Sequence, residues 1–212
     1  MIDINRRILI HKFLIGTIAA FTPAANAQQC RNSYPTKDGC AYRLALNFPY
    51  NPSSQATEMW CWAASIEGAL AYQNIDFVSQ EQIVERLFGS RRVQPANAEE
   101  IIRAASGLWI DAANSSFRTH VTANFISGNN RERYIKAAHL LYNDTPVIVC
   151  YSQPGFNIGH AVLLTNIVTD FSYNHIVRTT VFDPWANNGF RQLTPEEGNN
   201  TFALISIKAA VV

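Results

Sequence analysis

Apolar residues recur at helical spacing through the first part of the chain and predict four helices. Start and stop signals bound them. The second and third helices begin at capping boxes, in which Ser or Asn is followed three residues later by Gln or Glu. Each of these two helices ends at a glycine. The predicted helices are Trp62 to Gln73, Ser79 to Gly89, Asn97 to Gly107 and Arg131 to Tyr142.

The second part of the chain changes to short apolar runs separated by turn residues, a pattern typical of β-strands. Helices followed by strands predict an α+β fold with segregated layers rather than a sheet of alternating β-α-β units. A cleft between the two halves is the natural place for a functional site. The predicted strands are Val147 to Tyr151, His160 to Val168, His175 to Phe182 and Thr201 to Ile207.

The N-terminal segment has the organisation of an export signal. A basic start precedes an apolar run that is too short to span a bilayer, which needs about 20 residues. We expect cleavage after Ala27 and export to the periplasm or the medium, most simply from a Gram-negative bacterium. Residues 28–212 would then form one domain. The signal consists of Arg6, Arg7 and Lys12, then Phe13 to Phe21, then Ala25-Asn26-Ala27.

Charge and motif content exclude several classes of partner. The formal net charge is +1, and it becomes −1 once three basic residues and one acidic residue leave with residues 1–27. Without a block of Lys or Arg, the chain shows no electrostatic footprint for nucleic acid or an anionic membrane. It also lacks short metal-ligand pairs and a phosphate-binding glycine loop, so we expect no metal and no cofactor.

Four cysteines in an exported protein suggest disulfide bonding. Full pairing allows three connectivities, and Cys30–Cys40 is the simplest pair because both residues lie in a polar, turn-rich segment. Cys150 ends an apolar run and is typical of a small core residue. A Cys61–Cys150 bridge stays open at this stage, and it would destroy any nucleophile at Cys61.

The segment from Gln55 to Ser65 holds the first candidate site residues. Cys61 stands at the predicted start of the first helix, where the positive end of the helix dipole favours a thiolate. Gln55, six residues earlier, is a candidate N–H donor to an oxyanion formed beside the sulfur. The alternative is a buried structural cysteine between two core tryptophans.

A cysteine nucleophile needs a base and a group that orients the base. His160 follows a turn and opens an apolar strand, which would hold its ring at the mouth of a cleft. His175, at the start of the next strand, is the alternative base. We expect His139 to have a surface or packing role, and His120 has no recognisable partner motif.

Asp183 completes the candidate set. A strand delivers it directly before Pro184, which cannot continue the ladder, and Trp185 follows. It can accept a hydrogen bond from an imidazole while the indole shields both groups from water. The alternative is an ordinary Asp-Pro turn. Paired asparagines such as Asn187-Asn188 are typical of solvated turns, although some of them would rim the site.

The ordered set of Gln55, Cys61, His160 and Asp183 resembles the papain-like cysteine peptidases. The resemblance is carried by Gln-x5-Cys-Trp-Ala-x-Ser from Gln55, by Gly-His-Ala-Val around His160, and by Asp-Pro-Trp from Asp183. Within this superfamily, the sequence is similar in particular to bacterial branches that include plant-pathogen effector proteases and relatives of the bacteriocin-leader peptidases.

The resemblance implies a helical half carrying Cys61 and an antiparallel β half carrying His160 and Asp183, with a cleft between them. It implies that Cys61 is the nucleophile, His160 the general base, Asp183 its orienting partner and Gln55 the oxyanion donor. We expect a monomer that acts on a protein or peptide substrate, with a cognate inhibitor as a further candidate partner. Only about 30 residues separate Ala27 from Cys61, so we expect no large inhibitory propeptide.

Two other functions remain open from the sequence. Transglutaminase-type or deamidating toxins use the same Cys-His-Asp set and differ only in the acceptor that resolves the thioester. A catalytically silent binding module would keep the scaffold alone. An intact set of four groups argues against a silent module.

Overall fold

The computed structural model describes residues 30, 33–44, 53–111, 114–125, 131–153, 159–173 and 175–212. Within these ranges the helices are α1 (Cys61–Tyr72), α2 (Gln80–Phe88), α3 (Ala98–Ala105), α4 (Arg131–Tyr142) and α5 (Pro195–Asn199). The strands are β1 (Tyr34–Pro35), β2 (Cys40–Arg43), β3 (Gly107–Ile110), β4 (Ser116–Phe125), β5 (Val147–Ser152), β6 (Gly159–Thr169), β7 (Ile176–Asp183), β8 (Gly189–Gln192) and β9 (Thr201–Val211). The predicted export signal, Asn129-Asn130 and the turn residues Asn157 and Ile158 lie outside the described residues.

Local signals bound the helices much as the sequence predicts. Both α2 and α3 begin at capping boxes in which side chain and backbone exchange hydrogen bonds. Gly89 ends α2 with a φ of 71°, the left-handed conformation that favours glycine. The third helix stops slightly early, at Ala105, and Gly107 is the first residue of β3. The four predicted helices are confirmed, with ends that differ by about two residues at most.

The strands within the described residues form one antiparallel sheet of nine strands. Its order is β1-β2-β6-β5-β9-β4-β3, and β7 pairs with β6 and with β8. Strand β5 is buried on both faces. Ile148 packs in a core with α1, α2 and α3, whereas Val147 and Val149 pack in a second core with α4. This double burial explains why β5 is a continuous apolar run rather than an alternating one.

Strands also occur in the first half of the chain, which the sequence analysis assigned to helices. Strand β4 has ten residues and pairs with β9 from Phe117 to Phe125. Its outer face carries exposed polar residues, among them Arg118, His120 and Thr122, so its apolar signal is weak. The α+β class is confirmed, but the separation of helices and strands along the chain is wrong. Strands β1, β2, β3 and β8 and the short helix α5 also escape the sequence patterns.

The cysteines pair as the simplest reading of the sequence predicts. Cys30 and Cys40 form a disulfide bond, and both are buried. Cys40 begins β2 and pairs with Thr169 of β6, so the bridge ties the segment before β1 to the sheet. Cys61 and Cys150 are free thiols. No helix within the described residues is long and apolar enough to cross a membrane.

We expect a Cys30→Ser/Cys40→Ser variant to lose about 2–3 kcal/mol of unfolding free energy, because the bridge restricts a short loop of the unfolded chain. Urea unfolding of the variant and the wild type measures this difference. Thiol titration of unfolded, unreduced wild type provides the control and should find only the two free cysteines. Titration of all four thiols would contradict the pairing.

Candidate active site

Cys61 is the first residue of α1, where backbone N–H groups have no partner within the helix. The residue is 9% exposed. Trp60 and Trp62, on either side, donate their indole N–H groups to the carbonyls of Arg92 and Gln94 at 2.8 and 3.3 Å. The two tryptophans therefore hold the segment between α2 and α3 against the start of α1 and fix the position of the thiol.

A hydrogen bond between α1 and β6 holds Cys61 beside His160. Ser65, one helical turn after Cys61, donates its hydroxyl to the carbonyl of Ala161 at 3.1 Å. Ala161 directly follows His160 in β6. As a result Cys61 and His160 line the same small cavity, to which Cys150 also contributes.

His160 forms a hydrogen bond with Asp183 and lies between two aromatic rings. Its Nε2 is 2.8 Å from Asp183 Oδ1, and the residue is only 3% exposed. The rings of Tyr151 and Trp185 meet the imidazole edge-on, with centroid distances of 5.6 and 5.9 Å. Because Nε2 is occupied, Nδ1 is the ring nitrogen available to the thiol of Cys61.

Asp183 accepts four hydrogen bonds, two on each oxygen. Oδ1 accepts from His160 Nε2 and from the backbone N–H of Trp185, at 2.8 and 2.9 Å. Oδ2 accepts from Asn188 Nδ2 at 2.9 Å and from Arg191 Nε at 2.8 Å. A carboxylate offers about four acceptor positions, so this buried group is fully satisfied.

Burial and hydrogen bonding act in opposite directions on the two ionisable partners. Burial alone would lower the pKa of His160, but hydrogen bonds to Asp183 and Cys61, together with their charges, raise it to about 9. Burial alone would raise the pKa of Asp183. Its contacts with His160, the Trp185 backbone and Arg191 nevertheless hold that pKa well below its usual range. The pair is therefore an imidazolium and a carboxylate at neutral pH.

Gln55 lies between the start of α1 and the turn after β7. Its backbone N–H donates to the carbonyl of Pro184 at 2.7 Å. Its side-chain Nε2 donates to the carbonyl of Thr57 at 2.8 Å, and its buried Oε1 has no partner among the described residues. Gln55 is not among the residues that line the cavity shared by Cys61 and His160.

Gln80, at the start of α2, supports the segment that carries Gln55. Its side chain accepts from the N–H of Ala56 at 2.8 Å and donates to the carbonyl of Ser54 at 3.0 Å. It also donates to Glu67 of α1 at 2.9 Å. These contacts on both sides of Gln55 explain why a polar residue such as Gln80 is buried in this position.

None of the other histidines that the structure describes lines the cavity at Cys61. His175, the alternative base, is exposed just before β7. His120 is exposed on β4. His139 is exposed on α4 with its ring edge-on to Tyr42, which agrees with the predicted surface or packing role. Of the histidines that the structure describes, only His160 is buried.

Cys150 is a core residue that lines the cavity shared by Cys61 and His160. It is 1% exposed, and burial together with the neighbouring Cys61 raises the pKa of its thiol. It pairs with Ala161 in the sheet, directly after His160. The sequence prediction that Cys150 is a small core residue is confirmed.

Asn188, Arg191 and Glu197 are polar partners of the site that the sequence analysis missed. Asn188 belongs to a predicted solvated asparagine turn, yet it donates to Asp183. Arg191 links Asp183 to Glu197, which it contacts through two hydrogen bonds of 2.8 Å. No motif marks Asn188 or Arg191, because a polar side chain every few positions is equally typical of an exposed edge strand and turn. Glu197 stands three residues after Thr194 in a capping box, which could have predicted the helix start but not the contact with Arg191.

A family model described as "Papain-like cysteine protease AvrRpt2" matches residues 43–195, which include all four candidate site residues. No curated protein sequence matches the chain.

Solved structures of bacterial peptidase domains are similar over most of the chain. The peptidase domain of Streptococcus ComA, a bi-functional ABC transporter involved in quorum sensing, is 17% identical with a TM-score of 0.47, covering 80% of this chain and 98% of that chain. A double glycine motif protease from an AMS/PCAT transporter, in complex with its leader peptide, is 20% identical with a TM-score of 0.45 and the same coverage. The Streptococcus mutans ComA domain is 16% identical with a TM-score of 0.41, covering 76% and 99%.

The buried His160–Asp183 pair predicts a loss of stability at alkaline pH. Because the pKa of His160 is raised from 6.5 to about 9, its contribution is complete below pH 6.5 and is lost as the pH rises through about 9. Asp183, whose pKa is lowered, acts in the opposite sense and loses its contribution only below about pH 4. We expect the unfolding free energy of the wild type, measured with urea, to fall between pH 6.5 and about 9.5.

A His160→Gln variant is the control, since it keeps a hydrogen-bonding side chain but cannot titrate. The decrease in unfolding free energy over this pH range should be much smaller in the variant. An equal decrease in both proteins would show that another group is responsible.

Proposed function

Because the chain belongs to the family of the papain-like cysteine protease AvrRpt2, we propose that it is an exported cysteine peptidase that hydrolyses peptide bonds through Cys61, His160 and Asp183. The observation that carries this proposal is the buried hydrogen bond between His160 and Asp183, at a cavity that Cys61 also lines. A nucleophile, a base and an orienting carboxylate are the groups that acyl transfer by a thiol requires. The papain-like fold predicted from the sequence is confirmed by the family.

In the first step Cys61 attacks the carbonyl carbon of a peptide bond as a thiolate. The imidazolium of His160 stabilises this thiolate electrostatically, and Asp183 holds the imidazolium in place at 2.8 Å. A carbon–sulfur bond forms and the carbonyl electrons move to oxygen. The resulting oxyanion needs hydrogen-bond donors close to the start of α1.

Two donors are proposed for the oxyanion. The backbone N–H of Cys61 is among the helix-start groups that lack an intrahelical partner. The side chain of Gln55 is the other: its amide nitrogen carries two hydrogens, of which one is used by the carbonyl of Thr57. The backbone contact between Gln55 and Pro184 keeps the residue that carries this amide beside the turn after β7.

His160 then acts as the acid and afterwards as the base. It gives its proton to the departing amine, so that the carbon–nitrogen bond breaks and a thioester remains on Cys61. The imidazole next removes a proton from water, whose oxygen attacks the thioester carbon. The carbon–sulfur bond then breaks, which releases the acid product and regenerates the Cys61 thiolate beside the protonated His160. Asp183 stays ionised throughout, because its four donors and its low pKa disfavour protonation.

We expect Cys61→Ala and His160→Ala to lower peptide hydrolysis by about 10⁴-fold or more, since each removes a reacting group. A peptide library incubated with each purified variant, with new N-termini counted by mass spectrometry, measures the loss. His175→Ala is the matched control and should keep wild-type activity, because His175 is exposed outside the site. Hydrolysis that persists in Cys61→Ala would end the proposal.

Export is proposed from the N-terminal sequence and is supported by the cysteines. A basic start, an apolar run and a small-residue cleavage site form the signal pattern over residues 1–27. The Cys30–Cys40 disulfide begins only three residues after Ala27 and fits an oxidising compartment. In such a compartment the bridge also keeps these two cysteines from pairing with Cys61.

We expect the exported protein to begin at Gln28. Expression of the full chain in a Gram-negative host, followed by N-terminal sequencing of the periplasmic and secreted fractions, measures this. An Ala25→Arg/Ala27→Arg variant is the control and should keep the precursor intact, because signal peptidase requires small residues there. A mature form that starts well beyond Gln28 would reveal a propeptide and contradict the prediction.

A further inference from the structure

We propose that Arg191 is a positioning residue of the proposed peptidase: held by Glu197, it fixes the Asp183 carboxylate in the orientation that presents Oδ1 to His160. The inference rests on the proposed function, because it concerns the same catalytic set. It gives a positioning role to a residue that the sequence motifs do not mark and that the proposed mechanism counts only as one donor to Asp183.

The two oxygens of Asp183 have separate tasks. Oδ1 faces His160, whereas Oδ2 points away from it and accepts from Arg191 Nε at 2.8 Å and from Asn188 at 2.9 Å. The carboxylate of an aspartate rotates readily about its Cβ–Cγ bond. Anchoring Oδ2 restricts that rotation from the side opposite His160, in addition to the backbone N–H of Trp185 that holds Oδ1 itself.

Arg191 can act as an anchor because it is itself held. Its Nη1 and Nη2 donate to the two carboxylate oxygens of Glu197, both at 2.8 Å. Glu197 in turn accepts from the backbone N–H of Thr194 in the capping box of α5. The chain of contacts from Asp183 thus ends on the backbone at a helix start rather than on a freely moving side chain.

Tyr151 closes the network back onto His160. Its hydroxyl accepts from Arg191 Nη2 at 2.9 Å and donates to Glu197 Oε1 at 2.9 Å. Its ring meets the imidazole of His160 edge-on. Arg191 is therefore connected to His160 along two routes, through Asp183 and through Tyr151.

The geometry needs arginine rather than any cation. All three guanidinium nitrogens of Arg191 are in use: Nε on Asp183, and Nη1 and Nη2 on Glu197, with Nη2 also on Tyr151. A lysine ammonium is a single point charge and cannot bridge these partners in a plane. Strand β8 supplies the position, since Arg191 pairs with Val181 on β7, two residues before Asp183.

The charge on Arg191 and its geometry predict opposite changes in the pKa of His160. Loss of a positive charge alone would make the imidazolium easier to form and would raise the pKa. Loss of the anchor frees Asp183 and weakens the contact that stabilises the imidazolium, which lowers the pKa. The titratable and charged groups that surround His160 are Glu58 and Cys61 near α1, Cys150 and Tyr151 on β5, Asp183 on β7, Arg191 on β8 and Glu197 on α5.

The test measures two pH profiles in the full chain. One is kcat and KM for a peptide identified from the library, and the other is the rate of Cys61 alkylation by iodoacetamide, read by peptide mapping. In Arg191→Met we expect kcat to fall about 10- to 100-fold with little change in KM, as for a misplaced catalytic group. The alkaline limb of both profiles should move to lower pH than in the wild type. Arg191→Lys should restore little of the loss.

Three further variants make the result specific. Arg118→Met removes an exposed arginine of β4 and should leave both profiles unchanged. Glu197→Gln should act in the same direction as Arg191→Met but less strongly. The double variant should lose less than the product of the two single losses, because both residues act through Asp183. If Arg191→Met fails to fold, as judged by circular dichroism, Glu197→Gln and Arg191→Lys carry the test.

An alkaline limb that stays in place or moves to higher pH in the folded Arg191 variants would overturn the proposal and leave Arg191 as a charge or a structural contact. Failure of the proposed function has a different signature, since the wild type would then cleave no peptide. The alkylation profile would still report whether Arg191 positions Asp183 against His160.

Discussion

The structure around the site depends on burying two opposite charges together. His160 and Asp183 are almost inaccessible to solvent, and each would be costly to bury alone. Their direct hydrogen bond offsets part of the cost, and the remaining oxygen of Asp183 requires donors of its own. The tight turn after β7, the short strand β8 and the helix α5 provide or support those donors. Three elements of the C-terminal part of the chain therefore serve to satisfy the hydrogen-bonding capacity of the Asp183 carboxylate.

A second set of contacts fixes how helix and sheet meet. The hydroxyl of Ser65 binds the carbonyl of Ala161, which directly follows His160, and so holds the start of α1 beside the imidazole. The indoles of Trp60 and Trp62 bind the segment between α2 and α3. Cys61 and Ser65 lie one helical turn apart on α1. The hydroxyl of Ser65 therefore anchors to the sheet the same helix turn that carries the Cys61 thiol.

A backbone contact joins the two ends of the site. The N–H of Gln55 donates to the carbonyl of Pro184, so the segment before α1 is fastened to the turn after β7. Gln80 holds the first of these segments from α2. A site assembled from α1, β6 and β7 is in this way held together by contacts to the main chain within the protein itself.

The sequence by itself determined the helices of the first half and the buried strands of the second half, and it selected Cys61, His160 and Asp183 as candidate site residues, because capping boxes, apolar periodicity and short motifs are local signals. The structure brings these three residues together. The sequence did not predict β4, because the alternation of polar and apolar residues along this strand is too weak to indicate a strand without its partner β9. Nor did it predict the roles of Arg191 and Glu197 beside Asp183. Thr194 and Glu197 have the spacing of a capping box, but that motif does not record the contact with Arg191, which arises only because β8 pairs with β7 and α5 packs near β5. Which cysteines pair was likewise decided by the sheet, since it places Cys40 near Cys30 and keeps Cys61 and Cys150 as buried thiols at the site. Contacts that are distant in the sequence arise from packing, and no local pattern records them.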